Sequence, residues 1–211
     1  PSSGQFAFVN LVENELVNAP SLVSIRTAFA PASVTVTRSR LTGFTQYGID
    51  CAAQMFDADL AVIDNIIQTS SPSTTAIGIT SNAGIMRYQV RGNGTEPFST
   101  GQSMTASNGI YMISSGIASR EVHGTIEANK MTVTDSGINA YFTNDRKHVL
   151  RIASNQIDAQ TPFAVQGLAA GATPAPSAFT AVNNTLTTSS GQVNYFAAGN
   201  GQPIDTCFDF G

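Results

Sequence analysis

Ile126-Glu127-Ala128-Asn129-Lys130-Met131 and Ile152-Ala153-Ser154-Asn155-Gln156-Ile157 are one short phrase written twice, 26 residues apart. In each copy an apolar residue stands three before an Asn and another stands two after it. That spacing describes two brief strands meeting at a sharp bend with the Asn at the corner. A short amide side chain tolerates left-handed backbone better than most, which suits Asn to such a bend. A repeat of this period points to a stacked architecture rather than a single packed sheet.

The same template recovers further corners in both directions. Upstream are Leu11/Asn14/Leu16, Val36/Ser39/Leu41, Val62/Asn65/Ile67 and Ile85/Tyr88/Val90; downstream is Ala181/Asn184/Leu186. The residue just before the corner is mostly polar (Glu13, Arg38, Asp64, Arg87, Ser154, Asn183), as an outward position would be. A second strand trails each corner by roughly nine residues: Leu22–Ile25, Gly48–Cys51, Ile77–Ile79, Gly109–Met112, Gly137–Ala140, Pro162–Val165 and Gln192–Tyr195. Apolar-in, polar-out alternation marks these as half-buried strands. Three short strands and three bends per repeat close one turn of a coil, which predicts an all-β parallel β-helix of about seven coils.

The Gly-Ile-x-apolar strand followed by the Ile-x-x-Asn-x-Ile corner resembles the repeat of right-handed parallel β-helix proteins, the pectate-lyase-like superfamily. The resemblance spans about residues 9–198 and implies a single-stranded right-handed solenoid. Its members include polysaccharide lyases and hydrolases, epimerases, phage tailspikes and surface adhesins, so the fold does not choose a function.

Residues 1–211 read as one β-helix domain, with coils over about 9–198 and the tail 199–211 as an apolar cap built on Ile204, Phe208 and Phe210. The start at Pro1, close to the first corner, is the start expected of a piece of a longer protein. Its first coil then needs an upstream segment or a self-associating partner to cover it. Residues 91–108 enlarge one coil as a surface loop, and 168–178 form a smaller loop of small residues and Pro.

Charged residues are 11% of the chain, Lys occurs only at positions 130 and 147, and the net charge is −4. The absence of a basic run argues against nucleic acid, which needs clustered Lys and Arg along its phosphate backbone. No apolar window reaches the length of a membrane span, so no membrane insertion is expected. The low-charge surface rich in Ser, Thr, Asn and Gly is that of an extracellular or cell-surface protein. Cys51 and Cys207 lie about five coils apart, beyond disulfide reach, and read as free thiols, Cys51 in the core.

In the enzymes of the resembled superfamily the substrate lies along the sheet of Gly-Ile-x-apolar strands. Here the outward row of that sheet includes Ser24, Arg26, Asp50, Gly78, Thr80, Tyr111, Asn139, Tyr141, Ala164, Gln166 and Asn194. It holds one carboxylate where glycoside hydrolysis needs two, and it lacks the acidic cluster of a calcium-dependent lyase. It reads instead as a binding face for a polysaccharide or a surface protein, with Asp50, Tyr111, Asn139, Tyr141 and Gln166 as the contacts.

The catalytic alternative, a polysaccharide-processing enzyme, rests on Glu121, His123, Asp145 and His148, which fall on adjacent coils. A carboxylate beside a His is the makings of an acid/base pair. These residues have no recognised metal spacing, and no metal site or cofactor is read from the chain. Asp57 and Asp59 read as a solvated turn.

Overall fold

A computed structural model describes residues 6–82, 84–95, 102–115, 121–142, 148–167, 178–188, 194–196 and 205–209. The side chains of 142, 165–167, 178–179, 194–196 and 205–209 lie outside the description. The chain winds through a repeating set of strands. The first coil holds β1 (Ala7–Val12), β2 (Glu15–Val17) and β3 (Ser21–Arg26), and the second β4 (Ala32–Thr37), β5 (Arg40–Thr42) and β6 (Tyr47–Ala53). The third holds β7 (Ala58–Ile63), β8 (Ile66–Gln68) and β9 (Thr75–Ser81), and the fourth β10 (Met86–Arg91) and β11 (Asn108–Ser114). Then come β12 (Val122–Glu127), β13 (Lys130–Thr132) and β14 (Ser136–Phe142), followed by β15 (His148–Ala153), β16 (Gln156–Ala159) and β17 (Thr161–Gly167). The chain closes with β18 (Ala178–Val182), β19 (Thr185–Thr188), β20 (Asn194–Phe196) and β21 (Asp205–Asp209).

Every strand pairs in parallel with its counterpart one turn away. One face is an eight-stranded sheet ordered β1-β4-β7-β10-β12-β15-β18-β21, and another a seven-stranded sheet ordered β20-β17-β14-β11-β9-β6-β3. The third face is split into β2-β5-β8 and β13-β16-β19, and in the fourth coil the isolated bridges Gln68↔Thr105 and Met104↔Met131 stand between them. No helix occurs among the described residues. The molecule is an all-β parallel solenoid. Its regular turns number about five, fewer than the seven coils read from the sequence. The fourth turn is interrupted by its insertion, and the stretch between β19 and β20 lies outside the described residues.

The inner register supplies a continuous column of apolar residues. Val36, Val62, Val90, Ile126 and Ile152 are aligned strand by strand, and all are buried. So are Ile49, Ile77, Ile110 and Ile138 on the facing sheet. Cys51 joins this core as a free thiol, and burial with the neighbouring Asp50 charge pushes its pKa up to about 12. Cys207 falls in β21, with its side chain outside the description.

The corners carry the polar counterpart of that column. Backbone N–H groups donate from Asn14 to Ser39 Oγ, and then to an amide Oδ1 at each step from Ser39 to Asn65, Asn93, Asn129, Asn155 and Asn184. The steps are 25, 26, 28, 36, 26 and 29 residues long. Between Asn rungs the side-chain Nδ2 also donates to the next Oδ1 at 2.9–3.0 Å. It bonds as well to the carbonyl three residues before the preceding rung: Val36, Val62, Val90, Ile126 or Ile152. Each Asn thus satisfies backbone groups that a bend inside a packed wall would leave unpaired.

Two sequence expectations need correction here. The fourth corner is Asn93, not Tyr88. Tyr88 sits in β10 with its ring in the core, over Gly124, where a Cβ would come within 2.0 Å of it, and its hydroxyl donates to Met112 sulfur at 3.0 Å. The left-handed residue is also not the Asn but the one before it: Glu13 (φ 55°), Arg38 (47°), Asp64 (55°), Gly92 (66°), Ala128 (53°), Ser154 (56°) and Asn183 (54°). Left-handed backbone costs a non-Gly residue about 1–2 kcal/mol. The rung's hydrogen bonds offset that cost, so Asn is selected for its amide and not for its backbone tolerance.

The tail does not simply leave the repeat. Asp205–Asp209 pairs in parallel with Ala178–Val182 and adds the eighth strand of the first sheet. Ile204 and Phe210, two of the three residues assigned to a cap, lie outside the described residues.

Candidate functional site

The outer face of the seven-stranded sheet is where side chains collect that the core does not use. Register aligns Ser24, Asp50, Gly78, Tyr111, Asn139 and Ala164 in one line along the axis. A parallel line two residues on runs Arg26, Ala52, Thr80, Ile113, Tyr141 and Gln166. Four of the five residues assigned to a binding face from sequence have described side chains. Gln166 sits in register beside Tyr141, with its side chain outside the description.

Tyr111 and Tyr141 stand on neighbouring strands with ring centroids 5.8 Å apart and planes inclined by 50°. This tilted pairing is favourable for aromatic quadrupoles. Both rings are half-buried, so each keeps an exposed surface. Burial raises the Tyr111 phenol pKa, with Tyr141 and Tyr47 adding to the shift.

Tyr47 is the member that sequence reasoning missed. It opens β6 and aligns with Thr75, yet its ring lies over Gly78, where a Cβ would come within 2.9 Å of two ring carbons. Gly78 therefore opens a lane in the row that the Tyr47 ring occupies. The signal was present as a hole: the one Gly in the row, flanked by Asp50 and Tyr111.

At the near end of this tyrosine patch Arg26 Nη2 donates to Asp50 Oδ2 at 2.5 Å. The Asp50 side chain is 8% exposed and that of Arg26 53%. Burial raises the Asp50 pKa and Arg26 opposes the rise, with burial the larger effect. At the far end Asn139 Oδ1 is shielded from solvent and accepts no hydrogen bond among the described residues. The face therefore presents aromatic surface between the Arg26–Asp50 pair and Asn139.

Of the four residues of the catalytic alternative, the three that are described are not gathered on one side of the wall. His123 points outward from β12 with Nε2 2.8 Å from Glu121 Oε2, so that pair exists. His148 aligns with the core residue Val122, not with His123, and is 2% exposed. Two adjacent histidines one register step apart face opposite sides of the wall. Asp145 lies outside the described residues. Asp59 is likewise not in a turn: it projects from β7 and accepts from Arg87 Nη1 at 3.1 Å, while Asp57 Oδ1 accepts from the Ile85 N–H at 2.9 Å. Among the described residues no group of three His, Cys, Asp or Glu side chains is placed to hold a metal ion, and no helix is long and apolar enough to cross a membrane.

No protein-family model, no curated protein and no solved structure matches the chain.

Proposed function

We propose that this chain is a non-catalytic binding module of a secreted or cell-surface protein, built on the right-handed pectate-lyase-like β-helix, that takes a carbohydrate chain along the outer face of its seven-stranded sheet. The observation that carries this reading is the contiguous patch of Tyr47, Tyr111 and Tyr141 between the Arg26–Asp50 pair and Asn139. Aromatic faces stack on sugar rings, and the half-exposed Arg26 guanidinium beside them can donate to sugar hydroxyls. Reversible binding asks for such a platform and a few hydrogen bonds, whereas bond cleavage asks for charged groups at the reacting atoms.

A glycan array probed with the purified protein tests the proposal, together with an assay for release of reducing ends or unsaturated sugars from each hit. Retention of one glycan class without release supports a binding module. Turnover of a hit would replace it with the polysaccharide-processing reading. Failure of every glycan to bind, with capture of a surface protein through the same tyrosines, would replace the ligand class.

A further inference from the structure

The eight-stranded sheet carries a groove on its outer surface, away from the tyrosine face. It has a volume of about 610 Å³ and runs along the solenoid axis over β4, β7, β10, β12 and β15. Asp59, Arg87 and His123 follow one another in one line, and Gln89, Thr125 and Arg151 in the next. All point away from the core, so the fold does not account for their identities. Two of the three basic side chains are held by neighbours: Arg87 by Asp59 at 3.1 Å and His123 by Glu121 at 2.8 Å. Exposed pairs of this kind contribute little to stability, but they fix the orientation of the groups they join. Arg151 is exposed and forms no ion pair or side-chain hydrogen bond among the described residues.

We propose that this groove binds a sulfate or phosphate ester carried on a sugar, with the tetrahedral anion met by Arg87, His123 and Arg151 and the hydroxylated body lying on Gln89 and Thr125. Three successive strands each contribute one basic side chain to the same groove, and a tetrahedral ester presents three terminal oxygens to meet them. A planar carboxylate presents two. Guanidinium forks suit such oxygens, and Arg87 keeps donors beyond the one given to Asp59. Asp59 and Glu121 each face one basic partner, which leaves Arg151 as the guanidinium of the groove with no acidic partner among the described residues. The amide and hydroxyl between the basic groups are the polar partners that sugar hydroxyls need.

Titration calorimetry with glucose 6-sulfate and glucose 6-phosphate, against glucose and glucuronate, tests this. One or both esters bind, and glucose and glucuronate bind weaker by at least about tenfold. Which ester binds identifies the source of the anion. Arg151→Gln and His123→Gln each weaken the ester by about tenfold or more, with unchanged unfolding midpoints because both side chains face solvent. Tyr111→Ala leaves ester binding intact, which separates this site from the tyrosine face. The proposal is overturned if neither ester binds, if glucuronate binds as well as the esters, or if Arg151→Gln binds like the parent.

Discussion

The asparagine corner and the tyrosine face lie on the same coils and are built by opposite rules. At the corner every polar atom is committed: Asn129 accepts from Asn93 and donates to Val90, Glu127 and Asn155. On the tyrosine face Asn139 Oδ1 accepts no hydrogen bond among the described residues, and three half-buried phenol rings gather where the backbone asks for no particular side chain. Residues whose bonds are all internal are explained by folding. Half-exposed rings that the fold does not require are what the binding proposal rests on.

The sharpest way to break this contrast is at the ladder itself. Asn129→Ala removes acceptor and donor together and strands buried groups on Asn93, Val90 and Asn155, so unfolding in urea should show a loss of about 3 kcal/mol or more. Asn129→Ser should recover part of it, because Ser39 already fills a rung by accepting from Asn14 and donating to Thr37. A loss under about 0.5 kcal/mol for the Ala variant would mean that the ladder is not what holds the bends.

The second test compares two adjacent residues of β12. Ile126→Ala opens a cavity in the apolar column and should cost about 2–5 kcal/mol. Glu127→Ala alters an outward side chain whose contact to Arg91 is 3.6 Å long, and should change stability by less than about 0.5 kcal/mol. Equal effects in denaturant titrations would reverse the assignment of faces.

These two tests rest on features that the sequence displays, because burial repeats. An apolar position three before a rung recurs in each coil, and a strand one step out of register would turn its core to water. Asn93 escaped because the inserted loop follows it directly: Val90 stands three before it, but Thr95 occupies the place two after it, where the other Asn rungs have an apolar residue. The left-handed residue escaped for a different reason. Glu, Arg, Asp, Ala and Ser have no shared side-chain property that marks the position, and only the ladder's geometry makes that backbone tolerable there. On the tyrosine face, Tyr111 and Tyr141 were legible because both lie in the outward register. Tyr47 was not, since its ring reaches over Gly78 from three residues upstream of the row. His148 does stand one coil from His123, but one register step off, and parity along β15 turns it to the other side of the wall.

A smaller effect sharpens the contrast at the border of the tyrosine face. Burial raises the Asp50 pKa in the folded protein despite Arg26, so folding favours its protonated form. Its contribution to stability is therefore greatest below the ordinary carboxylate range and falls as pH rises through the raised value. Asp50→Asn should remove that slope, and the gap between variant and parent in urea midpoints should move in favour of the variant from acid to neutral pH. A gap that moves toward the parent over the same range would mean that the ion pair, not burial, dominates.

The central claim is that the tyrosine face binds while the ladder only folds, and titration calorimetry of Tyr111→Ala and Tyr141→Ala against a glycan retained on the array tests it most directly. The account predicts that each variant weakens binding by about tenfold or more, with an unfolding midpoint close to the parent's. Parental affinity in both variants would contradict it.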